Sequence, residues 1–151
     1  MGFDVHHLPI FDALSREHFS ALEPLLETIS CPAGDFVIEQ DTPAEYLYIV
    51  LSGTVQISFK PYDGMPITIS HVESGGLFGW SAVIGSGKYT SSVIAIEPLE
   101  AARIRGSDLR KLTKRNPEAG REIMNSLAEA ISTRWKDARE QVKLILENGM
   151  K

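Results

Sequence analysis

A mainly β, α+β domain is predicted by three features of the 151-residue chain. Six short β-type segments lie at close, regular spacing between Phe36 and Ile104, the pattern of a sandwich or barrel. One short amphipathic helical segment precedes them. A long helical segment follows, with apolar residues at steps of three and four. The length suits a single domain with one core and no metal or disulfide staple, so residues 1–151 are read as one unit. With 43% hydrophobic and 23% charged residues, the composition is that of a folded chain rather than a disordered one.

Ser15 is placed to cap a helix from about Arg16 to Glu27, with Phe19, Leu22, Leu25 and Leu26 on one face and Pro24 as an interior break. Cys31-Pro32-Ala33-Gly34 ends that element. The predicted strands are Phe36–Glu39, Tyr46–Leu51, Thr54–Phe59, Ile67–Val72, Ser92–Ile96 and Leu99–Ile104. Tyr62-Asp63-Gly64 reads as a hairpin turn and Gly53 as a sharp corner. After Ile104, Ser107 is expected to cap a helix from Asp108 to Arg115, which Asn116-Pro117 interrupts. A second helix is expected from Glu118 to Asn148. Its stripe is Met124, Leu127, Ile131, Trp135, Ala138, Val142 and Ile145. The first half of that stripe should cover the sheet, and the second half should meet a second copy of the chain.

Charge is distributed unevenly. Residues 1–102 hold three basic and 13 acidic side chains, a net of −10, whereas residues 103–151 hold 12 basic and seven acidic ones, a net of +5. The acidic portion repels polyanions, so an anionic small molecule bound there needs a local set of donors. The basic run Arg103, Arg105, Arg110, Lys111, Lys114 and Arg115 reads as a solvated face that balances the acidic barrel. His6, His7, His18, His71 and Cys31 lack the spacing of a metal site, and no metal is expected. No Gly-x-Ser-x-Gly elbow or Walker loop occurs, so no catalytic residue is assigned and the chain is read as a non-enzyme. With no apolar run long enough to span a bilayer and a lone cysteine, a cytoplasmic location is expected.

Three stretches then resemble a known family. Pro32-Ala33-Gly34-Asp35-Phe36-Val37-Ile38-Glu39 and Tyr46-Leu47-Tyr48-Ile49-Val50-Leu51-Ser52-Gly53-Thr54-Val55 are similar to the opening half of the cyclic nucleotide-binding domain of the catabolite activator protein family. Gly75-Gly76-Leu77-Phe78-Gly79 resembles the entry to its phosphate-binding cassette. The resemblance implies a double-stranded β-helix or jelly-roll, the β-roll, over residues 31–104. The short helix 16–27 would precede it, and C-terminal helices over 107–148 would follow. It also implies a regulatory role, a cyclic nucleotide such as cAMP or cGMP or another small effector as ligand, and a homodimer joined through the long helix. No cofactor is required. Family transcription factors carry a helix-turn-helix after that helix; here the chain stops at Lys151, so DNA is not an expected partner.

The ligand site carried over by resemblance is Phe78, Gly79, Trp80, Ser81, Lys88, Tyr89, Thr90 and Ser91. Two positions depart from the family pattern. Trp80 stands where a Glu accepts from the ribose, and Tyr89 stands where an Arg forks onto the phosphate. Lys88, next to the vacant Arg position, is either a looser anion contact or a solvated loop residue. Ordinary cyclic AMP should bind weakly or not at all. Two pockets stay open: one shaped for a different or more apolar ligand, and one filled by its own side chains. A ligand-free dimeric scaffold that docks on another protein is the alternative function.

Overall fold

The computed structural model describes residues 14–84 and 87–127. Helix α1 (Arg16–Leu22) begins as expected, with the Ser15 hydroxyl accepting from the His18 amide at 3.2 Å. It stops earlier than expected. Pro24 has no N–H to continue the ladder, the chain tightens into a 3-10 turn at Glu23–Leu25, and Glu27 already starts a strand.

Eight strands follow: β1 (Glu27–Cys31), β2 (Phe36–Ile38), β3 (Tyr46–Ser52), β4 (Val55–Phe59), β5 (Ile67–Val72), β6 (Leu77–Phe78), β7 (Ser92–Ala95) and β8 (Leu99–Arg105). They form two antiparallel four-stranded sheets, ordered β1-β8-β3-β6 and β2-β7-β4-β5. The chain changes sheet at nearly every connection, which makes this the jelly-roll that the family resemblance implied. β1 and β6 were not among the predicted strands. β1 pairs with β8 in the register Glu27 with Arg103 through Cys31 with Leu99, a partnership with a segment far along the chain.

Strand β3 shows why the core has two compartments. Its run Leu47-Tyr48-Ile49-Val50 is buried throughout, and successive side chains point to opposite faces. Leu47 and Ile49 join a cluster under the helices, while Tyr48 and Val50 fill the space between the sheets. β8 repeats the division, with Ala102 and Ile104 on the helix side and Leu99 and Ala101 inside.

Helix α3 (Gly106–Arg115) follows β8 without a side-chain cap; it opens one residue before the expected Ser107 cap, because the Gly106 amide is already satisfied by the Glu45 carbonyl at 2.8 Å. Helix α4 is described over 117–127, and Asn116 Oδ1 caps it by accepting from the Ala119 amide. Its buried face is Ala119, Ile123 and Leu127, with Met124 packed at the edge. Met124 and Leu127 of the predicted stripe therefore cover the helix-side core; Ile131, Trp135, Ala138, Val142 and Ile145 lie outside the described residues.

Glu122 fastens α4 to the start of α1. One carboxylate oxygen accepts from the Ser15 amide and the other lies 2.6 Å from His18 Nδ1. The Ser15 amide and then His18 favour the ionised form and hold this carboxyl below its ordinary range. No helix among the described residues is long and apolar enough to cross a membrane.

Candidate functional site

The site is built where β6 leaves its ladder. Phe78 pairs with Tyr48, and the next residue, Gly79, takes φ 78° and turns the chain into the single-turn helix α2 (Ser81–Ile84). The Gly79 and Trp80 carbonyls accept from Ala82 and Val83, which closes the turn. On the other side, the stretch before β7 is tied to the loop after β2. The Tyr89 amide donates to Thr42, Asp41 donates back to Tyr89, and Ala44 donates to Gly87.

Tyr89 is turned inward and only 7% exposed. Its hydroxyl donates to the Tyr46 carbonyl at 2.6 Å and accepts from the Tyr46 amide at 3.0 Å. Strand alternation explains the need. Glu45 bonds toward Gly106, next to β8, whereas Val50 bonds toward Gly75 and Gly76, next to β6. Tyr46 therefore faces the edge that β6 has already left, and buried backbone groups must find partners. One phenol supplies both. Burial pushes the Tyr89 hydroxyl up to about 12, against the lowering effect of the Tyr46 hydrogen bond.

This gives a pH prediction with a definite sign. The folded-state value lies above the ordinary 10, so the contribution of Tyr89 to stability is complete below pH 10 and is lost as pH rises through about 12. In an alkaline absorbance titration, Tyr89 should keep its proton well above pH 10 and ionise only near pH 12, as the fold fails. Tyr89→Phe leaves the two Tyr46 groups unmatched and should cost about 1–3 kcal/mol in urea unfolding.

The pocket beside this pair has a volume of about 80 Å³. Ile38, Ile57 and Val93 come from β2, β4 and β7, and Ile69 and Ser70 from β5. Gly79, Trp80 and Ser81 come from the cassette, and Tyr89, Thr90 and Ser91 from the approach to β7. Of the cassette residues expected from sequence, these last six share one pocket. Phe78 lies behind it, fully buried and stacked on Tyr48 with ring centroids 4.8 Å apart. Lys88 is exposed, bridges to Pro43 through its backbone and is not part of the lining. The residues that sequence reasoning missed, Ile38, Ile57, Ile69, Ser70 and Val93, sit on strands. Their only signal was strand alternation, which does not say which end of the barrel a residue occupies.

Among the described residues, no side chain that lines the pocket carries a charge at neutral pH. The nearby guanidinium groups are engaged elsewhere. Arg103 lies 3.9 Å over the Tyr46 ring and 3.4 Å from Glu27, while Arg105 stacks at 4.7 Å and donates to the Tyr46 hydroxyl. Among the described residues no cluster of His, Cys, Asp or Glu is arranged to hold a metal ion.

The cassette also touches the helices. Trp80 lines the pocket and, with Val83, packs against the helix-side core that contains Leu109, Leu112, Ile123 and Leu127. The Ala82 carbonyl accepts from Arg110 Nη1 at 3.2 Å. Gly106 rests so close to that carbonyl that a Cβ there would overlap it.

A jelly-roll that carries a glycine-turned cassette over a pocket, wired to a helical layer, is the architecture of a regulatory domain. The chain belongs to the cyclic nucleotide-binding domain family, whose model matches residues 28–116. It is 26% identical over 122 residues to a CRP-like cAMP-activated global transcriptional regulator of Mycobacterium tuberculosis, covering 81% of this chain and 54% of that protein. The chain thus spans about half the length of that relative. Among solved structures it is similar to a cyclic nucleotide-binding domain from Methylobacillus flagellatus, with TM-score 0.77 and 22% identity over 85% of this chain and 72% of that one. It is also similar to the regulatory subunit of a cAMP-independent protein kinase A from Trypanosoma brucei, with TM-score 0.69 and 17% identity over 83% and 44% of the two chains.

Proposed function

We propose that this domain is a cytoplasmic, non-catalytic sensor in which a small effector in the cassette pocket repositions the helices, and for which cAMP and cGMP are poor ligands. The observation that carries this reading is Tyr89. The position that the family resemblance reserves for a phosphate-binding guanidinium holds a buried phenol, with its donor and an acceptor site both committed to Tyr46. A cyclic phosphate entering the pocket would lose water and meet no counter-charge among the described lining residues, and an unpaired desolvated charge costs several kcal/mol. The Trypanosoma brucei neighbour, described as cAMP-independent, supports the idea that this fold can operate without that nucleotide.

Transmission would run through Trp80, which belongs to both the pocket and the helix-side core, and through the Ala82–Arg110 bond. An effector shifts the helices only if it binds one of their arrangements more tightly than the other. The apolar stripe that continues to Ile145 supports a homodimer as the output.

A second reading, a ligand-free dimeric scaffold that docks on another protein, is favoured by the pocket volume. About 80 Å³ is small beside the roughly 300–1,000 Å³ of small-molecule sites. Calorimetry with cAMP and cGMP up to about 1 mM, the edge of useful affinity, is expected to show no heat of binding. Tight binding of either, with new hydrogen-exchange protection over 106–127, would sink the reading of a departed cassette. Sedimentation velocity is expected to give a dimer that Val142→Glu splits; a monomer at every concentration would remove the dimer.

A further inference from the structure

We infer that the cassette pocket selects uncharged ligands, small molecules with a flat apolar body and one or two polar atoms, over anionic counterparts of the same shape. This rests on the reading of the site as an effector pocket and names the class of effector.

The lining supplies the argument. Ile38, Ile57, Ile69, Val93 and the Trp80 indole give an apolar bed for a ring. Polar contact comes from the Ser70, Ser81, Thr90 and Ser91 side chains, each a hydroxyl that can donate or accept. Hydroxyls can replace the water lost by an amide, an alcohol or a ring nitrogen; they cannot offset a full charge. Tyr89, the one ionisable group among the described lining residues, keeps its proton and has both hydrogen-bonding roles filled by Tyr46.

Among the described residues, cations that would compensate are placed elsewhere. Lys88 is exposed and outside the lining, and Arg103 and Arg105 are stacked on Tyr46. The chain next to the cassette, Ile84-Gly85-Ser86, carries no charge in its sequence. Beyond the pocket, the −10 of residues 1–102 is offset in part by the +5 of residues 103–151, and the remaining net −5 adds a long-range bias against anions within screening range. Local lining and long-range field therefore act in the same direction.

Matched pairs test this: benzamide with benzoate, and indole-3-acetamide with indole-3-acetate, titrated calorimetrically, with amide chemical shifts of Ser70, Ser81, Thr90 and Ser91 locating the site. The expected result is that the neutral member of a pair binds at least ten-fold more tightly, with shifts confined to the pocket. Thr90 is an exposed lining residue, so Thr90→Arg should fold and place a cation at the site. That variant should narrow or invert the ratio. An anion that binds as tightly as its neutral partner, or a ratio indifferent to Thr90→Arg, overturns the inference while leaving an effector pocket standing. Silence from all four compounds overturns the effector reading itself and this inference with it.

Discussion

Gly79→Ala is expected to destabilise the domain by about 2–5 kcal/mol and to disconnect Tyr89 from Tyr46. Gly79 has φ 78°, a backbone region that costs an L-residue about 1–2 kcal/mol. The added Cβ would also stand 2.9 Å from the Tyr46 carbonyl oxygen and 3.1 Å from side-chain carbons of Ile38 and Tyr48. Overpacking of that kind costs a further roughly 1–3 kcal/mol. The oxygen that would be crowded is the one to which the Tyr89 hydroxyl donates, so the same substitution strikes the site as well as the fold. Two measurements separate the effects: urea unfolding should report the loss of stability, and the alkaline absorbance titration should show Tyr89 ionising nearer to 10 than to 12. A variant with unchanged unfolding midpoint and unchanged titration would mean that the cassette turn is not held against β3.

Phe78→Ala is expected to cost about 3–5 kcal/mol, the range for truncating a buried aromatic ring. Phe78 has no exposed surface, and its ring lies parallel to Tyr48 at 4.8 Å, so a cavity would open in the middle of the inter-sheet core. Collapse is limited, because Tyr48 is itself buried and Gly79 and Ile38 already crowd the neighbouring space. Against the usual 5–15 kcal/mol of total stability, such a loss takes a large share. Phe78→Leu keeps most of the volume and should lose clearly less; equal losses for Ala and Leu would argue against the stacked geometry. The unfolding midpoint in urea reads both variants.

Much of the architecture was legible as pattern. Ser15 before Phe19 and Leu22 announces α1, and the short β-type segments Ser92–Ile96 and Leu99–Ile104, set apart by turn chemistry, announce β7 and β8. Gly75-Gly76-Leu77-Phe78-Gly79 announces the cassette by resemblance. The failures are equally specific. Glu27–Cys31 looked like a helix tail and a loop because its pairing partner, Leu99–Arg103, lies far along the chain. β6 is two residues long, too short to carry any period. The helix-side role of Met124 and Leu127 followed from spacing, whereas the division of β3 between two compartments needed both sheets in place.

Residue identities and local spacing were enough to establish a β-rich domain, and the family resemblance added a cassette turn with Trp80 and Tyr89 where the family pattern has Glu and Arg. Folding in three dimensions settled the rest: Tyr89 turns inward onto Tyr46, Lys88 stays outside the lining, and Trp80 joins the pocket to the helices. These outcomes depend on where β6 ends along β3, and the deciding bond joins residues 43 positions apart. Local pattern constrains which face a side chain takes within its own element, but the register between distant elements is chosen by the packing and backbone hydrogen bonding of the whole barrel.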